Sequence, residues 1–234
     1  MSNHNENIAD SLLDQAEATG ERHFFSVLSS VNNSGANGVA FLTLDSEERT
    51  LTVDAAALGL EPDQQHPFHI HGFTDDRPSE LPTLDQDADL DGFIEAPEGG
   101  PVFGPILLHL TEDDPATDGS SPPPDGMLRY PSADAEGVVE FSEVLSFDQN
   151  DPEQAEAFSE LTDRLEGRGI QFHGLELPAG AGDGTDNEVD GSGGYITALP
   201  VANGLIHEMP DGLTPGLLDM VGITPRDIAD FLFA

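Results

Sequence analysis

Three consecutive segments are strand-like runs rich in Phe, Val, Leu and Thr: RHFFSVLSSV (22–31), NGVAFLTLD (37–45) and RTLTVDAAAL (49–58). Each is expected to be an extended strand that buries apolar side chains in a core. The turn sequences NNSGA and SEE separate them. The pattern returns in HPFHIHGF (66–73), GVVEFSEVLSF (137–147), GIQFHGLEL (169–177) and YITALPVANGLI (195–206), and PVFGPILLHL (101–110) is a further apolar run. About eight short strands without strand–helix alternation predict an all-β, antiparallel Greek-key sandwich.

Helical patterns lie only at the edges of this scheme. Residues 6–18 and 151–166 read as short helices, and a third is expected from 224 to the C-terminus. The middle one has Asp151 as cap, Pro152 in its first turn, and Phe158, Leu161 and Leu165 on one face. The expected organisation is an N-terminal extension (1–21), the sandwich (22–207) and a helical tail (208–234), with a long Pro-, Gly- and Asp-rich insertion over 74–135. The tail is the most apolar segment; it is expected to pack on its own sandwich, with a homodimer through the tail as the second option.

Charge narrows the partners. Asp and Glu number 46, against seven basic residues that are all Arg, for a net charge of −39. Such a chain offers no basic face for nucleic acid and none for an anionic membrane surface. Self-repulsion of this size weakens a compact state in dilute buffer and fades in molar salt, where the Debye length is about 3 Å. A Lys-free acidic chain therefore points to the cytoplasm of a salt-in halophile. The start of the chain has neither the basic nor the apolar region of a signal peptide. A trimmed start would leave a secreted or cell-surface location open. The chain has no Cys, which excludes disulfides, thiolate catalysis and Cys-based zinc sites.

Three of the eight His fall within six residues: His66, His69 and His71. In a strand, His69 and His71 point to one face and can grip one ion. His173, in the middle of another strand-like run, is the natural third ligand, and His109 in the ILLHL run is a candidate fourth. Imidazole-only sites favour copper or zinc.

These residues carry a resemblance. The stretch from 37 to 73, with its HPFHIHG motif, resembles the Cu/Zn superoxide dismutase-like sandwich and its relatives, the CHRD domains, and the closing ALPVANGLI run looks like their last strand. The likeness covers roughly 22–207. It implies that His69 and His71 are two copper ligands and that His173, followed by Gly174, is another. The sequence departs from the dismutase pattern in three ways. Only His109 lies where the zinc ligands would be, the Cys pair is absent, and Thr197-Ala198-Leu199-Pro200 replaces the stretch that would carry an anion-guiding Arg. The resemblance thus implies the fold and a His metal site more than it implies dismutation.

A second metal motif lies in the insertion. Residues 87–98 match the twelve-residue calcium loop of EF-hands, with Asp87, Asp89 and Asp91 at positions 1, 3 and 5 and Gly92 at 6. The carbonyl of Phe93 falls at 7, Glu95 at 9 and Glu98 at the bidentate position 12. Pro78 and Pro82 before the loop and Gly99-Gly100-Pro101 after it predict flanks that are not helical. The acids Asp183, Asp186, Glu188 and Asp190 lack ligand spacing and read as solvated charge.

Two functions fit. One is a copper-dependent redox enzyme of the dismutase-like kind. The other is a non-catalytic, calcium-stiffened module for binding or assembly.

Overall fold

In a computed structural model, which describes residues 20–75, 77–112, 128–184, 188–210, 213–220 and 222–233, the strand-like segments are strands. They are β1 (Glu21–Ser30), β2 (Asn37–Asp45), β3 (Thr50–Leu58), β4 (Phe68–His71), β5 (Ile106–His109), β6 (Val139–Ser146), β7 (Gly169–Leu177), β8 (Gly194–Leu205) and a two-residue β9 (His207–Glu208). Among the described residues four α-helices accompany them: α1 (Ala96–Phe103), α2 (Pro152–Arg164), α3 (Pro215–Met220) and α4 (Pro225–Phe233). The expected helix over 6–18 lies outside the described residues.

Every strand pairing is antiparallel, and eight strands follow one path, β5-β4-β7-β8-β1-β2-β3-β6, with β9 added on β1. The path curls at β1. Most of β1 pairs with β2, while its last two residues, Ser29 and Ser30, pair with Asn203 and Ala202 of β8. The curl brings β4 and β7 against β6, giving the sandwich-like all-β fold that the succession of short strands predicts. Phe68 of β4 is fully buried, stacked on Phe172 of β7 at 3.8 Å and edge-on to Phe141 of β6 at 5.5 Å. Truncating such a residue to Ala costs about 3–5 kcal/mol, the lost transfer energy plus the cavity left behind.

The middle helix forms as its sequence dictates. The Asp151 carboxylate accepts the N–H groups of Glu153 (3.0 Å) and Gln154 (3.3 Å), and Phe158, Leu161 and Leu165 are buried on one face. The tail packs on its own sandwich. Ala229, Ile228 and Phe233 of α4 lie with Val39, Phe41 and Ala56 on the outer face of β2 and β3. No helix among the described residues is long and apolar enough to cross a membrane.

One segment departs from its reading. The 101–110 run is divided at Gly104: its first part ends α1 and its last part is β5. The calcium-type loop therefore runs straight into a helix, contrary to the expectation of non-helical flanks. Glycine and proline disfavour a helix interior, but three contacts outweigh them. Glu98 accepts the N–H of Glu95 (3.1 Å), Glu188 accepts the N–H of Ala96 (3.1 Å), and the buried Phe103 packs against Gly169, where an added Cβ would collide with its ring.

Candidate metal centre

Two strands supply the centre. His69 and His71 project from the same face of β4, and β4 pairs with β7, which brings His173 beside them. One nitrogen from each of His69, His71 and His173 falls in a group whose members all lie within 4.8 Å of one another. All three residues are buried.

Which nitrogen each ring offers is decided by the partner of the other one. The Nδ1 of His71 faces the carbonyl of Gly104 at 3.0 Å, and the Nδ1 of His173 faces the carbonyl of Ala198 at 2.6 Å. A carbonyl only accepts, so each Nδ1 carries the hydrogen and each Nε2 keeps its lone pair. For His69 the order is reversed: Nε2 meets the Tyr130 hydroxyl at 2.9 Å. The remaining atoms, His69 Nδ1, His71 Nε2 and His173 Nε2, are buried and have no hydrogen-bond partner. Buried polar atoms without partners are rare in folded proteins. Here three come from one cluster, and each is a metal-donor atom.

Electrostatics keeps the rings neutral. Burial lowers His71 to about 3 and His173 to about 4, from 6.5. His71 is lowered further by the like charge of His173. His69 is pushed down as well, by burial first and then by its three His neighbours. A neutral imidazole is the ligand form.

His66 and His109 take other places. His66, expected as a ligand, lies at the entry to β4 and is fully buried, but its ring turns away from the cluster. Its Nδ1 lies 2.8 Å from the carbonyl of His173 and its Nε2 lies 3.0 Å from the carbonyl of Glu61. Both nitrogens face backbone carbonyls, and His66 lies outside the converging group of His69, His71 and His173. His109 stands opposite His69 in the β4–β5 register. Its Nδ1 bonds the Tyr130 hydroxyl at 2.6 Å, and its ring stands edge-on to that of His69 at 4.9 Å. Burial raises that hydroxyl to about 12. Sequence reasoning missed Tyr130, because an isolated aromatic in an irregular stretch carries no periodic signal.

Two glycines permit this geometry. Gly104 has φ +98, and an added Cβ would stand 2.6 Å from the backbone of Gly72. Gly174, next to His173, has φ +106 at a break in the β7–β8 register, and an added Cβ would strike the Tyr195 hydroxyl.

The acidic loop is organised as its spacing implies. Asp87, Asp89 and Asp91 offer one group of converging oxygens, and Asp89, Glu95 and Glu98 offer another. Asp87 accepts the N–H of Gly92 at 3.0 Å, closing the turn at position 6, where Gly92 has φ +93. Leu90 also adopts positive φ, at 63°. Asp91 Oδ2 and Glu95 Oε2 are buried without partners, and Glu95 is fully buried. Burial, followed by like charges from the other loop acids, raises the pKa of both Asp91 and Glu95. The side chain of Phe93 packs with Leu177 and Val189, leaving its carbonyl as the part of the residue that the motif would use.

The loop is fastened from two sides that sequence alone did not reveal. The amide of the buried Asn32 donates to the Ile94 carbonyl (2.9 Å) and accepts the Ile94 N–H (2.7 Å). The same amide donates to the Pro200 carbonyl of β8 at 3.0 Å. On the other side, Glu95 accepts the N–H of Val189 at 2.6 Å. Glu188, read as solvated charge, instead holds the start of α1, and burial raises its pKa. Asp190 is exposed, as expected. Asp186 lies outside the described residues.

Compared with known proteins, the chain matches no family model and no curated protein. The reading of the site therefore stands on its own geometry.

Proposed function

We propose that this chain is a metal-dependent sandwich protein with two ions. His69, His71 and His173 hold copper, and the 87–98 loop holds calcium through Asp87, Asp89, Asp91, Glu95, Glu98 and the Phe93 carbonyl. The observation that carries the first site is the trio of buried, partnerless imidazole nitrogens. Three neutral imidazoles suit copper or zinc, and divalent affinities peak at copper. The orphaned oxygens of Asp91 and Glu95 support the second site, since hard carboxylate oxygens select calcium.

When bound, copper supplies one-electron transfer and a position for a further ligand. The chain's own part is to fix the donor atoms. Gly104 and Ala198 hold two tautomers, and the Tyr130–His109 pair orients the third ring, as outer partners of metal ligands do. Calcium would rigidify the insertion and the start of α1. We further propose copper redox chemistry as the reaction class, in the manner of the dismutase-like proteins that the sequence resembles.

Metal analysis of chain purified in molar salt without chelator tests both sites. About one copper and one calcium per chain is expected, with nitrogen hyperfine structure in the copper EPR spectrum. His71→Ala and His173→Ala should lose copper and keep calcium, and Asp89→Asn should do the opposite. Calcium alone, with neither copper nor zinc retained after reconstitution, would leave a non-catalytic, calcium-stiffened module.

A further inference from the structure

A cavity of about 190 Å³ lies between α1 and the His cluster. His71 and His173 form one end of it. Ile94, Phe103, Ile106 and Pro200 make its walls, and Gly100 of α1 faces it. Two amides, Gln171 and Asn203, are its other polar side chains. Apart from the two imidazoles, which burial keeps neutral, none of the described residues that line it carries an acidic or basic side chain.

From this lining we propose the ligand class of the site: a small, uncharged, largely apolar molecule bearing one oxygen or nitrogen donor. Its body would fill the cavity and its donor atom would face the His-held metal. The inference rests on the metal reading above and narrows it.

Three physical arguments support it. The first is size. A protein cavity of about 150 Å³ holds a benzene molecule and stays dry when its lining is apolar. The second is desolvation. In the metal-free chain an anion entering this space gives up water and finds no cationic side chain among the described lining residues, and the cost of an unpaired buried charge is large. The third is the kind of polar group in the lining. Gln171 and Asn203 contribute neutral amides. Amides pair with a neutral oxygen or nitrogen without bringing charge.

The test uses the full chain in molar salt and two probes of nearly equal shape, 4-fluorobenzyl alcohol and 4-fluorobenzoate, followed by fluorine NMR. The alcohol should bind both metal-free and copper-loaded chain, and the two probes are compared on metal-free chain, where the benzoate should bind at least about tenfold more weakly. In the copper-loaded chain the alcohol signal should broaden through its closeness to the paramagnetic ion. Gly100→Leu should abolish alcohol binding and leave copper content unchanged. An added Cβ at Gly100 meets nothing within 4 Å, and leaving glycine favours a helix interior, so this variant should fold. Ala96→Leu, at the start of the same helix, is the second cavity-filling variant.

Equal binding of the two probes would overturn the proposal. So would alcohol binding that survives both cavity-filling variants, or copper-loaded chain that binds the alcohol without broadening. A chain that takes up no copper yet binds the alcohol selectively would overturn the metal centre instead, while the ligand class of the cavity stands.

Discussion

The carbonyl of Gly104, the residue that ends α1, accepts the Nδ1–H of His71 at 3.0 Å. The calcium-type loop leads into the other end of the same eight-residue helix, since Glu95 immediately precedes Ala96. One short helix thus joins the two candidate metal sites. A displacement of its start would be carried toward the carbonyl that sets the tautomer of His71.

This gives the first prediction. Gly104→Ala cannot keep φ +98 at 2.6 Å from the Gly72 backbone, so the carbonyl must move. Loss of an outer-shell partner typically weakens metal binding about 10- to 100-fold. Copper affinity, measured by competition with a chelator of known strength, should fall by that range, while calcium content is retained. Unchanged copper affinity would show that the His71 tautomer is held by something else.

Tyr130 allows a gentler test. Its hydroxyl bridges His69 Nε2 (2.9 Å) and His109 Nδ1 (2.6 Å). Tyr130→Phe keeps the ring and removes the bridge. The variant should fold, bind copper about tenfold more weakly, and show altered copper EPR parameters. His109→Gln should change the same spectrum less, because it acts through Tyr130. A Tyr130→Phe spectrum identical to wild type would remove Tyr130 from the centre's support.

Calcium should act as a folding ligand. At about a hundredfold over its dissociation constant, a bound ion stabilises the folded chain by about 2.7 kcal/mol. For a chain of this size that raises the melting temperature by about 5–10 °C. Magnesium, which demands a tighter octahedral shell, should reproduce little of this. Glu98→Gln should remove most of the effect. Thermal unfolding with each cation decides it; equal stabilisation by both ions would argue for simple screening.

Acid should weaken the metal-free chain through the His cluster. His71 and His173 titrate at about 3 and about 4 when folded and near 6.5 when free. Between those values the unfolded chain binds more protons, so the stability these rings contribute is present above about 6.5 and is lost as pH falls toward about 4. The raised carboxyls of Asp91, Glu95 and Glu188 act in the opposite sense, because they are relieved of charge as pH falls. Comparison with His173→Phe cancels their contribution. Between about pH 7 and 4 the denaturant midpoint of the variant should rise relative to wild type. The Cε1–H resonances of His71 and His173 should stay at their neutral positions down to about pH 5.5. Titration of either ring near 6.5 would contradict a buried neutral cluster.

Much of this was legible in the residues, for reasons that are local. The sequence reading placed β2 and β7 at the bounds they adopt, because short apolar runs bounded by turn residues are a local signal along the chain. The pairing of His69 with His71 on one face follows from the two-residue period of a strand. The Asp-x-Asp-x-Asp-Gly spacing of the loop is likewise a short-range pattern. Helix α1 was not legible. Gly99, Gly100 and Pro101 speak against it locally, and what holds it comes from Glu188, far along the chain, and from the packing of Phe103 on Gly169.

The sequence by itself determined that the chain forms antiparallel strands, that three imidazoles lie on strands able to meet, and that an acidic loop has calcium-type spacing. Only the tertiary structure decided which nitrogen each imidazole leaves for a metal, and that His66 and His109 serve beside the cluster. The deciding partners are Gly104, Ala198 and Tyr130, which lie 33, 25 and 61 residues from the rings they fix. A ring's tautomer depends on what its other nitrogen meets across the sheet, and no periodicity along the chain encodes that contact.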